Sequence, residues 1–308
     1  MIIVNYGGGT NSTALLVEAH RRGLRPDVIV FSDTGNEMPH TYAYLETMAA
    51  WCARVRFPVI DIVRWERKDG SFITIEESCL AAEDMPSKAY GYAGCTSKWK
   101  QQPIDKFIKN HPMVLEAWAR GQTLDRWIGY DADEPVRAER AMAKNPQPLK
   151  SSTKTGKNGK PKTPKLLRKL HVIQDRLGLA HTEVLGFGAA MVRWRAELLA
   201  WDMGREECVA VIERAGLPQP GKSSCFFCPS MKKHEIDWLA EHHPDLLARA
   251  LRIEDRALAR NAESGRVTSI AGLGRKFSWR AYIEKQAEAL AAGEIVEPEC
   301  GCYDGGGD

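Results

Sequence analysis

Two stretches of this chain have the residue types and spacing to do chemistry. The first is Gly7-Gly8-Gly9-Thr10-Asn11-Ser12-Thr13, directly after the apolar run "IIVNY". Glycines let backbone N–H groups come close to an anion, and the positive end of a following helix adds to the field. Ser12 and Thr13 add hydroxyls. The common nucleoside-triphosphate loop ends in Gly-Lys-Ser/Thr, whose lysine neutralises the β- and γ-phosphates. No lysine stands here, so the pattern predicts an anion loop of another kind. The second stretch is Cys225-Phe226-Phe227-Cys228, followed by Pro229. A CxxC in a tight loop presents two thiols to one metal or forms a redox dithiol. Cys95, closely followed by Lys98 and Lys100, is a third candidate, because nearby cations favour thiolates. Cys300 and Cys302 add two more. Four thiolates suit a [4Fe–4S] cluster, with zinc as the alternative. Cys52 and Cys208 fall in amphipathic helical patterns and read as core, and Cys79 reads as structural.

These residues need elements to position them. "IIVNY" and "PDVIVFSDTG" are short apolar runs that read as buried strands, and "FPVIDIVR" reads as a third. "STALLVEAHRRG" has helical spacing and a closing Gly23, and "HTYAYLETMAAWCARV" is an amphipathic helix. Strands alternating with helices predict an α/β fold: a parallel twisted sheet with helices on both faces. Ligands of such sheets bind beyond the carboxyl ends of the strands. The glycine run and "SDTGNE" both fall there, so both are expected to line one crevice, adding Asp33, Thr34, Gly35 and Glu37 to the binding set. Further on, "PIDKFIKN" predicts a helix and "DRWIGYDADEPVRAER" a strand followed by a charged loop. "AELLAWDMGREECVAVIERAGLP" predicts one helix stopped at Gly216-Leu217-Pro218, and the remainder is mostly helical. The expected organisation is a nucleotide-binding domain over 1–140, a basic mobile insertion over 141–170, and a helical, cysteine-containing part over 171–308.

The chain has 308 residues, 44% hydrophobic and 27% charged, with a net charge of +3. That is ordinary for a globular protein with a core. No apolar run reaches the ~20 residues that span a bilayer, and "MIIVNY" lacks the basic start of a signal peptide. A cytoplasmic location without membrane contact is expected, where the eight cysteines are thiols, metal ligands or redox groups. From Lys144 to Lys169 the sequence is rich in lysine, Pro, Gly, Ser and Thr and holds no acid. Such a segment reads as a solvated loop or as an arm that tracks the phosphates of a nucleic acid.

The glycine run resembles the pyrophosphate loop of the ATP pyrophosphatase (PP-loop) superfamily, Ser-Gly-Gly-x-Asp-Ser. Gly8, Gly9 and Ser12 match, while Gly7 and Asn11 replace the Ser and the Asp. "DTGNEMPHT" is similar to a segment of the phosphoadenosine phosphosulfate (PAPS) reductases. So is "GCTSKWKQQPIDKF", with its Cys and K-x-x-P. "AELLAWDMGREECVAVIERAGLPQPGKSSCFFCPS" resembles the later region of bacterial and phage PAPS-reductase-like proteins. The resemblance implies an adenine nucleotide alpha hydrolase-like fold that binds ATP or a PAPS-like adenine nucleotide. It implies cleavage of ATP between the α- and β-phosphates, with the loop holding pyrophosphate. With Asn11 in place of Asp, Asp33 or Glu37 would be left to hold Mg²⁺. Iron–sulfur members pair an upstream cysteine segment with a downstream CxxC, which implies Cys95, Cys225 and Cys228 as ligands and leaves the fourth to Cys300 or Cys302. "ECGCYDG" resembles the tail whose cysteine attacks the sulfur of PAPS, and Cys300 stands at that position. Cys300 as nucleophile and Cys300 as ligand exclude one another. The candidates to contact phosphate or sulfate are Arg137, in a segment similar to one in the phage proteins, with Lys98 and Lys100.

Three functions are compatible with these motifs. One is ATP-dependent adenylation and sulfur transfer to a nucleic acid or nucleotide, fed by a sulfur donor, as the resemblance to phosphorothioate DNA-modification proteins suggests. Another is a PAPS or APS reductase that uses Cys300 and a thioredoxin-like reductant. The third is a nucleotide-binding sensor without chemistry.

Overall fold

A computed structural model describes residues 1–143, 165–181, 192–265 and 270–292. The chain divides into two compact units that interleave in sequence. The first comprises 1–32, 40–63 and 103–223, and the second 33–39, 64–102 and 224–308.

The first unit carries a five-stranded sheet: β1 (Ile2–Tyr6), β2 (Val28–Asp33), β3 (Ile60–Arg64), β4 (Leu124–Ile128) and β5 (Val192–Arg195). Their order is β3-β2-β1-β4-β5. The β1–β2, β1–β4 and β4–β5 ladders are parallel. Successive side chains of a strand point to opposite faces, and β1 shows the consequence. Val4 and Tyr6 pack with Leu15 and Leu16 of α1 (Thr10–Arg21), Met48 and Trp51 of α2 (Pro39–Arg54), and Ile212. Ile3 goes the other way, into a cluster with Val28, Val30, Ile108, Trp118 and Leu170. Burial of each such large side chain contributes about 1.5–3 kcal/mol. The expected α/β architecture with helices on both faces is therefore observed.

Several local expectations change. Pro135 opens a helix, α6 (Pro135–Met142), where a charged loop was expected. Proline at the first position of a helix loses no hydrogen bond, because that N–H has no partner within the helix. The expected single helix across 196–218 is two, because Asp202 takes a positive φ of 54°. The pieces are α8 (Glu197–Ala200) and α9 (Arg205–Arg214). The end of the expected mobile insertion is ordered: α7 (Lys165–Leu177) buries Leu166, Leu167 and Leu170 and packs on α5 (Pro112–Ala119). Residues 144–164 lie outside the described residues.

The second unit is helical. Its α3 (Ile75–Ala82) starts with a capping box in which Thr74 and Glu77 satisfy each other's backbone. A π-helical turn spans Thr96–Gln101 and leads into α4 (Gln102–Ile108) of the first unit. The helices α10 (Lys233–His242), α11 (Pro244–Glu263) and α12 (Trp279–Ala291) follow. The long α11 packs on α3, α10 and α12. Phe226, Phe227, Ile236, Ile253 and Trp279 form the centre of this core. Among the described residues no helix is long and apolar enough to cross a membrane.

Candidate functional site

In the first unit, β1 ends at Tyr6 and α1 begins at Thr10, so Gly7, Gly8 and Gly9 form the whole turn between them. Gly8 has φ +76°, a conformation that costs a side chain energy. Gly9 is the N-cap, with no side-chain cap, and no acid stands in the first turn of α1. The first N–H groups of the helix thus remain available to an anion. Thr13 N returns to Gly9 O at 3.0 Å, and the Ser12 hydroxyl donates to the same oxygen at 3.0 Å. Gly129, just past β4, is required for another reason. A Cβ there would lie 2.9 Å from Ser12 N, over the amide an anion would use. Sequence reading missed two neighbours of the turn, Thr41 and Ser223. Thr41 is 1% exposed and its hydroxyl has no partner among the described residues, while its methyl lies where a Gly8 Cβ would go. Ser223 Oγ stands 3.0 Å from the corresponding point on Gly9.

Asn11 is committed elsewhere. Its amide donates to Asp131 at 2.7 Å and to Glu134 at 3.3 Å, and its oxygen accepts from Arg205 at 3.0 Å. Asp133 accepts from Arg205 N at 2.6 Å and so caps α9. Burial raises the Asp131 carboxyl above its ordinary range, the Asn11 amide opposes this, and Asp133 adds to it. Arg137 is ion-paired with Glu134 in this network and lies 5.1 Å from the Tyr130 ring.

Asn11→Asp would turn this donor into a third carboxylate. The three acids would then have Arg205 and the Glu134-paired Arg137 between them, and their folded pKa values would rise above the unfolded ones. A raised acid favours the fold below the unfolded pKa and loses that stability as pH rises through the folded pKa. The variant is therefore expected to be about 2 kcal/mol less stable than the parent near neutrality. Urea unfolding should show the deficit closing near pH ~4, where carboxylates protonate. An equal deficit at both pH values would refute the carboxylate cluster.

A charged group of the same unit also carried no sequence signal. Arg126, on β4, is 2% exposed. It pairs with Asp105 at 2.6 Å, donates to Asn5 at 3.1 Å and lies 4.3 Å from the Trp194 ring. Burial pulls its pKa down, and Asp105 pulls the other way.

In the second unit, the segment 33–38 lies beside the CxxC loop. Phe226 N donates to Asn36 O and Met38 N to Ser224 O, each at 3.0 Å. Thr34 Oγ1 contacts Cys225 Sγ at 3.3 Å and donates to Glu37 at 3.1 Å. Lys100 reaches Glu37 at 3.0 Å. Burial works against its ammonium, but the charge and hydrogen bond of Glu37 outweigh it and hold Lys100 above the lysine range. Burial, reinforced by Glu37, pushes the Cys225 thiol well up. Asp33 is held by Arg64 at 2.6 Å and accepts from Gly35 N at 2.7 Å. Glu76 braces the segment from behind: its backbone N–H donates to Asn36 at 2.9 Å while its carboxylate takes Arg249 at 3.0 Å.

Of the two lysines, Lys100 belongs to this cluster. Lys98 sits 4.6 Å from each of the Trp65 and Trp99 rings. Cys95 contacts the Ser87 hydroxyl at 3.1 Å. Burial, then the charge of Cys95, pushes the Cys79 thiol up to about 12. Burial lifts Cys52 to about 11 and Cys208 to about 12, as expected of core thiols.

The implied metals meet a mismatch. Among the described residues no group of three or more His, Cys, Asp or Glu is arranged to hold a metal ion. Cys95, Cys225 and Cys228 thus do not form a ligand set by themselves, and Cys300 and Cys302 lie outside the described residues. Asp33 and Glu37, the residues left for Mg²⁺, are each neutralised by a cation of the chain.

No family model matches the chain. It is 32% identical over 153 residues to an uncharacterised nin region protein, ORF290, of Escherichia phage lambda. The match covers 44% of this chain and 49% of that relative, so the chain spans about half the relative's length. Among solved structures, the U34-tRNA thiolase NcsA from Methanococcus maripaludis with its [4Fe-4S] cluster aligns with a TM-score of 0.35 and 12% identity. That alignment covers 96% of this chain and 82% of the thiolase.

Proposed function

We propose that this protein is an enzyme that binds an adenine nucleotide, ATP, at the glycine turn and uses it to exchange an oxygen for sulfur on a nucleic acid or nucleotide. The observation that carries this reading is the open first turn of α1 behind Gly7–Gly9, uncapped and free of acid. A loop that offers amides without a lysine suits a leaving pyrophosphate better than a γ-phosphate under hydrolysis. The acceptor oxygen attacks the α-phosphorus of ATP, and the bond to the β-phosphate oxygen breaks, releasing pyrophosphate. The outer sulfur of a cysteine persulfide, loaded by a donor, then attacks the activated atom, and AMP leaves with the bonding pair. A second thiol attacks the carrier cysteine's sulfur and breaks the S–S bond to leave the outer sulfur on the acceptor, and the disulfide so formed is reduced by a thioredoxin-like dithiol. Cys225, Cys228 and Cys300 are this chain's candidates to carry that sulfur. Arg137, Lys98 and Lys100 are its candidate cations. The lysine-rich segment from Lys144 to Lys169 suits a polyanionic acceptor.

The test is product analysis on the whole chain. The protein is incubated with ATP, Mg²⁺, nucleic acid, a persulfide donor and reduced thioredoxin, and separately with PAPS and reduced thioredoxin. AMP and pyrophosphate that appear only with nucleic acid are expected. Sulfite from PAPS would replace this reading with a sulfonucleotide reductase. Tight ATP binding with neither product would leave a nucleotide-binding sensor.

A further inference from the structure

We propose that the first unit carries a second binding site, for a small organic anion with an apolar body, at the end of α1 remote from the glycine turn. The twelve residues of α1 put about 18 Å between its ends. At the far end, the last turns of α1, α2 and α9 enclose a groove of about 490 Å³. That is within the ~300–1,000 Å³ of small-molecule sites.

Its floor is carbon. Val17, Trp51 and Val211 are buried, and Val55 and Ala215 complete the lining. Its rim is cationic: Arg21, Arg54 and Arg214 stand around the floor with His20, and among the described residues no carboxylate lines the groove. Arg21 is held by Glu18 at 2.6 Å. Arg54 and Arg214 are exposed, and no described residue engages either guanidinium. Arginines in a last turn favour the helix dipole wherever they point. These two in addition flank the same apolar depression from different helices, Arg54 closing α2 and Arg214 closing α9.

That combination selects the ligand class. An aromatic or branched apolar body displaces water from the floor, and a carboxylate, sulfonate or phosphate monoester meets the free guanidinium forks. A nucleobase fits poorly, because its polar edge would find carbon along the floor. His20 stands edge-on to Trp51 at 5.8 Å and to Phe57 at 5.7 Å, and it walls one side. Nothing here depends on what the glycine turn does with ATP.

The probe is 8-anilinonaphthalene-1-sulfonate, a naphthyl body with one sulfonate, titrated by fluorescence into the full chain. One saturable site is expected. Arg54→Ala/Arg214→Ala should weaken it about tenfold, each exposed ion pair contributing at most ~1 kcal/mol. Ala215→Trp, which fills the groove, should remove it. Both variants should keep the parental melting temperature and ATP affinity. Equal dye affinity in all three proteins, no saturable binding up to ~1 mM dye, or displacement of the dye by ATP would overturn the proposal.

Discussion

Gly8→Ala is expected to weaken ATP binding by at least ~100-fold, about 2.7 kcal/mol, while the sheet stays folded. Two observations act together at this residue. Its φ of +76° is unfavourable for any side chain, and a Cβ would lie 2.9 Å from Thr41 Cγ2. Thr41 is buried near the start of α2, and its β-branched side chain is stiff at χ1. The turn must therefore rotate a peptide to relieve the strain, and rotation re-aims the amides that an anion would meet. Hydrogen bonds to charged groups are worth about 1.5–3 kcal/mol each, so the loss of one or two suffices. Gly23→Ala is the control. Gly23 has a similar φ of +70°, at the other end of α1, but nothing lies within 4 Å of its added carbon. It should lower stability by about 1 kcal/mol and leave ATP affinity untouched. Calorimetric titration with ATP reads the affinities, and thermal melting reads the folds. Affinity of Gly8→Ala within threefold of the parent would remove the glycine turn from the nucleotide site.

What the sequence shows about this turn depends on locality. The glycine run, the apolar strands and the helical spacing of α1 and α2 are each written in a few neighbouring residues, and all three reappear in the structure. Some missed elements were equally local. Glu134-Pro135 announces the start of α6, and Thr74 with Glu77 announces α3. The four-residue β5 is different: "VRWR" alternates charge with apolar side chains and is too short to stand out as a strand, yet it pairs with β4.

The polar network around Asn11 lies beyond sequence reading for a physical reason. Asn11 meets Asp131, Glu134 and Arg205 across separations of 120 to 194 residues. No period or spacing encodes such contacts, because they exist only once β1, β4 and α9 are in place. The substitution of Asn for the Asp of the resembled loop looked like a weakened metal site. In the fold it is the donor that lets two carboxylates stand beside it. The same distinction separates Lys100 from Lys98. Both follow Cys95 closely, but the π-helical turn that carries them directs Lys100 to Glu37 and Lys98 to the two tryptophans.

Glu254→Ala should cost about 4 kcal/mol, which is exceptional for one residue, and the loss should fall on the second unit. Glu254 is fully buried in α11, and it receives four donors. Leu273 N and Trp279 N meet one oxygen at 2.6 and 2.9 Å. Ser278 Oγ and Arg280 N meet the other at 2.6 and 2.9 Å. Trp279 and Arg280 open α12, so the carboxylate also sits at the positive end of that helix. The Arg280 guanidinium is ion-paired with Asp255, and the hydrogen bonds to Glu254 come from three amides and one hydroxyl. Alanine would leave those donors facing a cavity, at about 1–3 kcal/mol for each one left dry. Glutamine keeps the shape but turns an NH₂ toward two of the donors, so Glu254→Gln should recover only part of the loss. Hydrogen exchange should show α11 and α12 opening early in Glu254→Ala while the β1 and β4 amides keep their protection. A variant within about 1 kcal/mol of the parent by urea unfolding would mean that the second unit is held by its apolar core around Trp279 and Ile253, with Glu254 a bystander.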